Sequence, residues 1–414
     1  MLKKIIFITI VILLIAAGFY YWFSLREAPA APGTPVDTTS RSFNPFARST
    51  IAPSLPPRTT ATSTPAVGPV VDAKIPVLRH LSLAPIGGFM ASTTVVRYID
   101  RGVGHVYEAS SETEVIRKIS NTTIPRVYES YWNKNLSAAV LRYIKDSDTA
   151  IQNFYAELRP LKNSTSTQTA DFIPYEIKGK FLSPDIQEIA VSPKRDRIFT
   201  FSIENGKGIG YVSGFDESKK VKVLDTPLTQ VGVEWPEENT IVITTKPSGI
   251  SSGFAYLLDV KKASFTKVLG GMTGLSTKMS ADAKKILFST TRPSGPVLSL
   301  YTTKDGTTQE VVFRTFADKC VWSKVRPHEA YCAVPSKFDA GMYPDDWYKG
   351  AVSFVDQLWL LDSITGEVHL LANLLTLSND LIDAVDLTLD PKENFLYFVN
   401  KRDLTLWSLD LNES

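Results

Sequence analysis

The segment Val191-Ser192-Pro193-Lys194-Arg195-Asp196-Arg197-Ile198-Phe199 places a turn-rich middle between two strand-like ends. The same pattern returns in four later copies, which align with Pro193 at Pro236, Ala281, Lys324 and Pro391. The successive spacings are 43, 45, 43 and 67 residues. The first three spacings define a repeat, and the fourth is the same period with an insertion.

The rest of the chain after Ile75 consists of short apolar or alternating runs separated by turn residues, without a convincing amphipathic helix. This pattern predicts an all-β fold. A period of about 40–45 residues is typical of a four-stranded propeller blade. Starting points for seven blades fall near residues 86, 127, 187, 230, 275, 317 and 383. We therefore predict a β-propeller of seven four-stranded blades over residues 75–414.

The two ends of this domain are predicted to meet. The last repeat supplies only three strand-like runs, whereas residues 77–83 alternate apolar and polar side chains at strand period before the first repeat. We expect this early strand to complete the last blade. Such pairing would cover an edge whose unpaired backbone groups otherwise invite aggregation.

The repeats resemble those of bacterial TolB-like and WD40-like propellers. Blades of that kind commonly carry a Trp-Ser-Pro-Asp-Gly-x-x-Ile/Leu-x-Phe signature, and the nearest copies here are residues 191–199 and Trp322-Ser323. No copy has the full string, and no strand ends in a Trp-Asp dipeptide. The resemblance covers about residues 75–414 and implies a fold more than a function.

The amino terminus has the pattern of a membrane anchor. Residues 5–23, IIFITIVILLIAAGFYYWF, form an uncharged apolar run of 19 residues, and a spanning helix needs about 20. Lys3 and Lys4 precede the run, which favours a cytoplasmic amino terminus. We predict a cytoplasmic stub and signal-anchor helix over 1–26; the alternative is a cleaved signal peptide with a small-residue site at 28–30. Both interpretations place the rest of the chain outside the cytoplasm.

Residues 27–74 are rich in Pro, Ala, Ser and Thr and have neither strand nor helix periodicity. A segment of this composition cannot bury enough apolar surface to offset its ordering entropy. We predict a flexible linker that holds the propeller away from the cytoplasmic membrane.

Charge and composition exclude several function classes. Lys+Arg number 45 and Asp+Glu 43, a net charge of +2, which argues against a nucleic-acid partner. Two cysteines and four histidines leave no basis for a four-thiolate zinc site or a histidine-rich metal centre. His105 at a strand entry is expected to be structural. We find no catalytic or phosphate-binding motif, so we expect no cofactor, and enzymatic activity stays open.

Cys320 and Cys332 lie symmetrically about Arg326, which falls in the turn of a strand-turn-strand unit. Residues at such positions face each other across a hairpin. Outside the cytoplasm the pair would be oxidised, so we predict a disulfide; two free buried thiols are the alternative.

An insertion at about 335–352 interrupts the sixth repeat and is rich in aromatic and acidic side chains. Aromatic residues often anchor interfaces, and long loops in compact domains are often functional. The alternative is a loop folded back over its own blade, with Trp347 filling a hydrophobic gap. The candidate partner-binding residues are Tyr343, Asp345, Asp346, Trp347 and Tyr348.

These features together predict a membrane-anchored extracytoplasmic propeller that acts as a scaffold binding a protein or a cell-wall polymer at the bacterial envelope. An alternative is an enzyme, a glycan or peptide hydrolase or lyase, which carboxylates converging on the central channel would support. A third is the sensor subunit of an envelope complex, although the apolar run has no Gly-x-x-x-Gly spacing. The sequence does not predict an oligomeric state.

Overall fold

The computed structural model describes residues 76–145, 150–161 and 174–413. The predicted anchor (1–26) and linker (27–74) lie outside these described residues. Among the residues that are described, no helix is both long and apolar enough to cross a membrane.

The described chain is built from strands, with three single-turn or shorter helical segments. The strands are β1 (Leu78–His80), β2 (Ile86–Ala91), β3 (Val95–Asp100), β4 (Val106–Ser110), β5 (Ile116–Ser120), β6 (Val127–Trp132), β7 (Ala138–Ile144), β8 (Ile151–Pro160), β9 (Tyr175–Phe181), β10 (Ile186–Val191), β11 (Ile198–Glu204), β12 (Lys207–Ser213), β13 (Val221–Thr226), β14 (Val231–Glu237), β15 (Thr240–Thr245), β16 (Ser252–Asp259), β17 (Ser264–Thr273), β18 (Ser276–Met279), β19 (Lys285–Arg292), β20 (Gly295–Thr302), β21 (Thr308–Glu310), β22 (Cys320–Trp322), β23 (Glu329–Pro335), β24 (Asp356–Asp362), β25 (Val368–Asn373), β26 (Ala384–Leu389), β27 (Phe395–Asn400) and β28 (Thr405–Asp410). The helical segments are a 3-10 turn (Ala317–Lys319), α1 (Asp345–Tyr348) and α2 (Leu374–Ser378).

Hydrogen bonds group these strands into seven antiparallel units of four. Blade 1 holds β2–β5, blade 2 β6–β9, blade 3 β10–β13, blade 4 β14–β17, blade 5 β18–β21, blade 6 β22–β25, and blade 7 β26–β28 with β1. A single parallel bridge between Ser120 and Tyr175 joins the outer strands of blades 1 and 2. The first strand of each blade contacts the first strand of the next, and β26 contacts β2. The blades therefore form a closed ring, which is a β-propeller.

The strand pattern fixes which side chains pack between blades. Phe199 and Phe201 of β11 are both fully buried. They lie on one face of the strand, and Thr200 between them lies on the other. The adjacent strand β12 makes room for these rings with glycines: a Cβ on Gly210 would lie 2.6 Å from the Phe199 ring. A Cβ on Gly208 would lie 2.2 Å from the Phe201 ring. Small residues opposite large ones let neighbouring blades reach native packing density.

β1 is the outermost strand of blade 7, where it pairs antiparallel with β28. Its register places His80 opposite Trp407, and the two rings stack with centroids 4.2 Å apart. The Arg79 guanidinium reaches across to blade 1 and donates to the carbonyls of Ser110, Ser111 and Thr113 at 2.7–3.1 Å. The first strand of the described chain thus pairs with its last strand to complete blade 7, as predicted for residues 77–83.

The turns after the first strands explain the missing glycine of the repeat signature. Arg195, Ala283 and Glu393 occupy its position in blades 3, 5 and 7, with φ of 56°, 57° and 59°. This left-handed conformation costs a non-glycine residue roughly 1 kcal/mol. Two of the side chains contact the preceding blade: Arg195 Nε donates to the Trp132 carbonyl at 3.0 Å, and Glu393 Oε2 accepts from Ser323 Oγ at 2.6 Å. In blades 3 and 7, the residue that stands in place of the signature's glycine therefore makes a contact with the preceding blade.

Candidate functional site

The insertion lies between β23 and β24, packs on Phe316 and Phe354 of its own blade region, and extends over blade 5 to the β15–β16 loop of blade 4. Tyr343 and Trp347 are each only 2% exposed, so neither ring can anchor a partner from the surface. The Trp347 ring stacks on Phe316 at 4.9 Å, and Phe338 and Phe354 complete the cluster. The sequence left two interpretations of this loop: a surface that binds a partner, or a loop in which Trp347 fills a hydrophobic gap. For Trp347 the structure agrees with the second.

The paired aspartates hold the insertion in place. Asp345 Oδ2 accepts from the backbone N–H of Gly249 at 2.6 Å, and its Oδ1 accepts from Ser248 Oγ at 3.2 Å. Both partners belong to the β15–β16 loop of blade 4. Asp346 Oδ2 accepts from the backbone N–H of Met342 at 2.7 Å, within the insertion. Asp345 therefore ties the insertion of blade 6 to blade 4, and Asp346 holds the insertion's own backbone.

A buried ionic network lies under the insertion. Lys319 Nζ lies 2.8 Å from Asp356 Oδ2 and 2.6 Å from Asp383 Oδ1, and all three side chains are 0% exposed. Trp347 Nε1 donates to Asp383 Oδ2 at 3.0 Å. Burial raises the pKa of Asp356 to about 6, against the opposing charge of Lys319. The network joins the start of blade 6, the end of the insertion and the start of blade 7.

A cavity of about 460 Å³ lies between the first strands of blades 4 and 5. Residues of β14, β15 and β18 form its walls, and Asp318 and Tyr348 close one side. A Cβ placed on Gly232 in β14 would meet no atom within 4 Å, so this glycine leaves open space in the wall. Tyr348 is 41% exposed and is the member of the predicted partner-binding set that lines this cavity.

The polar groups of the cavity form two linked pairs. Glu234 Oε1 lies 3.3 Å from Lys278 Nζ, and the Glu234 carboxylate raises the pKa of Lys278. Tyr348 donates its hydroxyl hydrogen bond to Asp318. Removal from water raises the pKa of Asp318, although the Tyr348 hydrogen bond opposes the shift. The cavity therefore contains one carboxyl group with a raised pKa, that of Asp318, and one carboxylate in an ion pair, that of Glu234.

Further carboxylates converge on the centre of the ring from the first strands of several blades. Glu129 in β6, Glu188 in β10 and Asp386 in β26 are each the third residue of their strand, and Glu234 is the fourth residue of β14. Asp386 is exposed, and its carboxylate makes no hydrogen bond or ion pair within the described part of the chain. Along the chain these residues are separated by 59, 46 and 152 positions, so no local motif reveals them. Glu188 and Asp386 lie five residues before the aligned Pro193 and Pro391, and an acidic residue at this shared position is the signal that could have revealed them.

Cys320 and Cys332 face each other on β22 and β23 and form a disulfide with an S–S distance of 2.07 Å. Both are at most 2% exposed. The bond fixes the innermost hairpin of blade 6, directly after Lys319. It therefore supports the end of the 3-10 turn from which Asp318 enters the cavity.

Metal-ligating side chains do not gather within the part of the chain that the structure describes. Across residues 76–145, 150–161 and 174–413, no three His, Cys, Asp or Glu side chains are placed to hold a metal ion. The carboxylates around the channel are instead paired with cations or spaced apart. Arg142 Nη1 lies 2.8 Å from Glu129, and Lys246 Nζ lies 3.1 Å from Glu188.

No protein-family profile and no curated protein matches the chain. Solved structures with a similar fold include an oligogalacturonate lyase in complex with manganese, at 10% identity and a TM-score of 0.51, covering 81% of this chain and 93% of that one. The oligogalacturonate lyase of Vibrio parahaemolyticus gives 8% identity and a TM-score of 0.52, with coverage of 80% and 93%. TolB from Acinetobacter baumannii gives 12% identity and a TM-score of 0.40; the match covers 68% of this chain and 61% of TolB. Identities this low show a shared fold and transfer neither substrate nor metal.

Proposed function

We propose that this propeller is tethered to the cytoplasmic membrane by residues 1–26, stands outside the cytoplasm on the linker 27–74, and binds a protein or cell-wall polymer. The uncharged run of 19 residues after Lys3 and Lys4 supports the tether. The observation that carries the binding function is the cavity of about 460 Å³ between blades 4 and 5.

The composition of the cavity supports a binding function. Its walls include the apolar side chains of Val233, Val242 and Pro247, with a small number of polar groups between them. Thr244 and Thr277 meet across the blade boundary with their hydroxyl oxygens 2.6 Å apart. Concave sites with apolar walls and a few placed polar groups are typical of ligand pockets. Such a cavity accepts one projecting side chain or sugar ring of a larger partner.

The insertion keeps the cavity in one shape. Asp345 bonds the β15–β16 loop, and the Lys319 network and the aromatic cluster hold the rest of the insertion. Tyr348 is thereby fixed at the cavity wall, where it donates to Asp318. A preformed site spends less entropy on ordering when a partner binds. Trp347 is buried, and it therefore supports the binding surface from below.

Filling the cavity should weaken binding without unfolding the blade. In Gly232→Phe the added ring enters space where a Cβ meets no atom within 4 Å, and we expect binding to weaken about tenfold or more. Sedimentation with isolated cell-wall sacculi and proximity labelling in intact cells measure this. Thr266→Phe, which adds the same ring to an exposed position of β17, is the matched control. Equal binding by both variants would move the partner site away from this cavity.

A second candidate function, a glycan or peptide hydrolase or lyase, is favoured by one observation. Asp318 and Glu234 line one cavity, where removal from water raises the pKa of Asp318 and Glu234 is ion-paired with Lys278. A carboxyl group with a raised pKa in a cleft is a candidate general acid.

The two functions are distinguished by Asp318→Asn, whose amide oxygen still accepts from Tyr348. For an enzyme, product release from cell-wall fragments should fall about 100-fold or more while binding is retained. Chromatography of the released fragments measures turnover, and sedimentation measures binding. A wild-type protein that binds fragments but releases nothing would exclude this second candidate.

A further inference from the structure

The charges in the cavity between blades 4 and 5 are balanced. Lys278 Nζ lies 3.3 Å from Glu234 Oε1, and Lys246 Nζ lies 3.1 Å from Glu188 Oε1. Among the lining residues that the structure describes, each cation thus has a carboxylate partner. An anionic ligand would find no unmatched cation and would lie beside the Glu234 carboxylate, whereas a cationic ligand would meet two ammonium groups. The balance of charge therefore favours a neutral ligand.

The hydrogen-bonding groups of the cavity suit hydroxyls. An ammonium has three hydrogens, and the ion pair engages one of those on Lys278. A carboxylate has about four acceptor positions, and Asp318 accepts from the Tyr348 hydroxyl. Between Thr244 and Thr277 one hydroxyl donates to the other, which leaves one hydroxyl hydrogen for a ligand. Because a ligand hydroxyl both donates and accepts, it can bind every one of these groups.

The rest of the wall is apolar and includes one aromatic ring. Val233, Val242 and Pro247 line the cavity together with Tyr348, which is 41% exposed and whose hydroxyl is held by Asp318. A sugar ring has C–H groups on its faces and hydroxyls around its edge, so it needs an apolar contact beside polar ones. The cavity offers both within about 460 Å³, and small-molecule sites have volumes of about 300–1,000 Å³.

We propose that this cavity binds a neutral sugar ring of a glycan. The hydroxyls of the sugar bind the Lys278 ammonium, the Asp318 carboxylate and the Thr244–Thr277 pair, and its C–H face packs on the Tyr348 ring. The inference rests on the binding function proposed for the cavity and specifies the chemistry of its ligand. A sugar that carries a carboxylate, such as a uronic acid, is disfavoured because Lys278 is already paired.

Calorimetry with short oligosaccharides and the purified full chain in a sugar-free detergent tests the proposal. The probes are the hexamers of glucose and of N-acetylglucosamine, which are neutral, and the hexamer of galacturonic acid. At constant ionic strength we expect at least one neutral hexamer to bind about tenfold or more tightly than the acidic one. Tyr348→Leu should weaken that binding about tenfold or more. Equal or tighter binding of the acidic hexamer, or no binding of either neutral one, would overturn the proposal.

Glu234→Gln tests whether the paired charge sets this preference. The variant leaves Lys278 without its carboxylate but keeps an amide oxygen that can accept from the Met279 backbone N–H, a bond of 3.1 Å in the wild type. Its affinity for the acidic hexamer should rise about tenfold or more, because an unpaired ammonium can bind the added carboxylates. Glu310→Gln is the matched control: it breaks a 3.0 Å ion pair with Arg292 outside the cavity and should change neither affinity.

An unchanged preference in a folded Glu234→Gln would show that the charge balance does not select the ligand and would overturn the proposal. Thermal unfolding establishes that the variant is folded. If it is not, Lys278→Gln is the second variant: it keeps N–H donors but removes the ammonium, and it should retain the neutral hexamer within about threefold. A loss as large as that of Tyr348→Leu would then count against a neutral ligand.

Failure of the sugar assignment is distinguishable from failure of the binding function. If Gly232→Phe reduces labelling of a protein partner while no neutral hexamer binds the wild type, the cavity is a binding site but its ligand is a protein. Ile250→Ser then weakens partner binding as well, because Ile250 is 74% exposed in the β15–β16 loop that begins at the cavity wall. If Gly232→Phe changes neither partner nor sacculus binding, the cavity is not the site and both proposals fall.

Discussion

Replacing Lys319 by methionine should lower the free energy of unfolding by about 3–5 kcal/mol, since it leaves two buried carboxylates without their cation. Lys319 Nζ contacts Asp356 at 2.8 Å and Asp383 at 2.6 Å, and none of the three side chains is exposed. The ammonium also lies over the rings of Trp347 and Phe354, 5.0 and 5.6 Å from their centroids. Methionine fills similar space but supplies no charge.

The loss should depend on pH in a defined direction. Burial raises the pKa of Asp356 to about 6 in the folded protein, above its ordinary 3.8. The folded state therefore favours the protonated form of the Asp356 carboxyl group. The stability that this protonation gives is lost as the pH rises from about 4 to about 6. Without Lys319 the unpaired carboxylate would hold its proton more strongly. The penalty of Lys319→Met should accordingly be largest above pH 6 and smaller at pH 5.

Urea unfolding at pH 5 and pH 7.5 measures this difference, and limited proteolysis of the insertion shows whether it has been released. Lys337→Met is the matched control, since Lys337 is in the insertion, 75% exposed, and paired with Asp339 at 3.2 Å. A surface pair of this kind should contribute less than about 0.5 kcal/mol. If both variants lost the same stability, the buried network would not be what holds the insertion.

The features that were predictable from sequence are those with a local or periodic pattern. The spacing of the copies at Pro193, Pro236 and Ala281 indicates blades because each repeat forms one sheet. The cysteines on either side of Arg326 lie on paired strands because a hairpin sets its own register. The first of these inferences needs only a regular spacing along the chain, and the second only residues of one hairpin.

The features that were not predictable depend on the closure of the ring. Lys319 and Asp356 of blade 6 come together with Asp383 at the start of blade 7, so their sequence positions carry no common pattern. Trp347 in a loop fits both a surface anchor and an internal plug, because hydrophobicity alone does not say which side of the loop faces solvent. Arg195 at a glycine position becomes intelligible only when its contact with Trp132 is known.

Removing β1 should destabilise the propeller strongly, on the order of 5 kcal/mol, from the loss of buried apolar area and hydrogen bonds. Leu81, which follows β1, is 2% exposed, and its backbone N–H donates to the Leu406 carbonyl at 2.8 Å. Ser82 Oγ accepts from the backbone N–H of Leu406 at 2.8 Å. Arg79, 8% exposed, makes its three hydrogen bonds to blade 1. A chain that begins at Ala84 loses all of these contacts.

A chain that begins at residue 76 keeps β1 and is the reference for the truncation. Urea unfolding compares the stability of the two, and light scattering compares their association, because the truncated chain exposes the edge of β28 to other copies. Leu83→Ala in the longer chain is the control for side-chain loss in this segment, since Leu83 is 91% exposed and should contribute little. Equal stability of the chains beginning at 76 and at Ala84 would mean that the ring is held by contacts between blades alone, and that β1 only covers an edge.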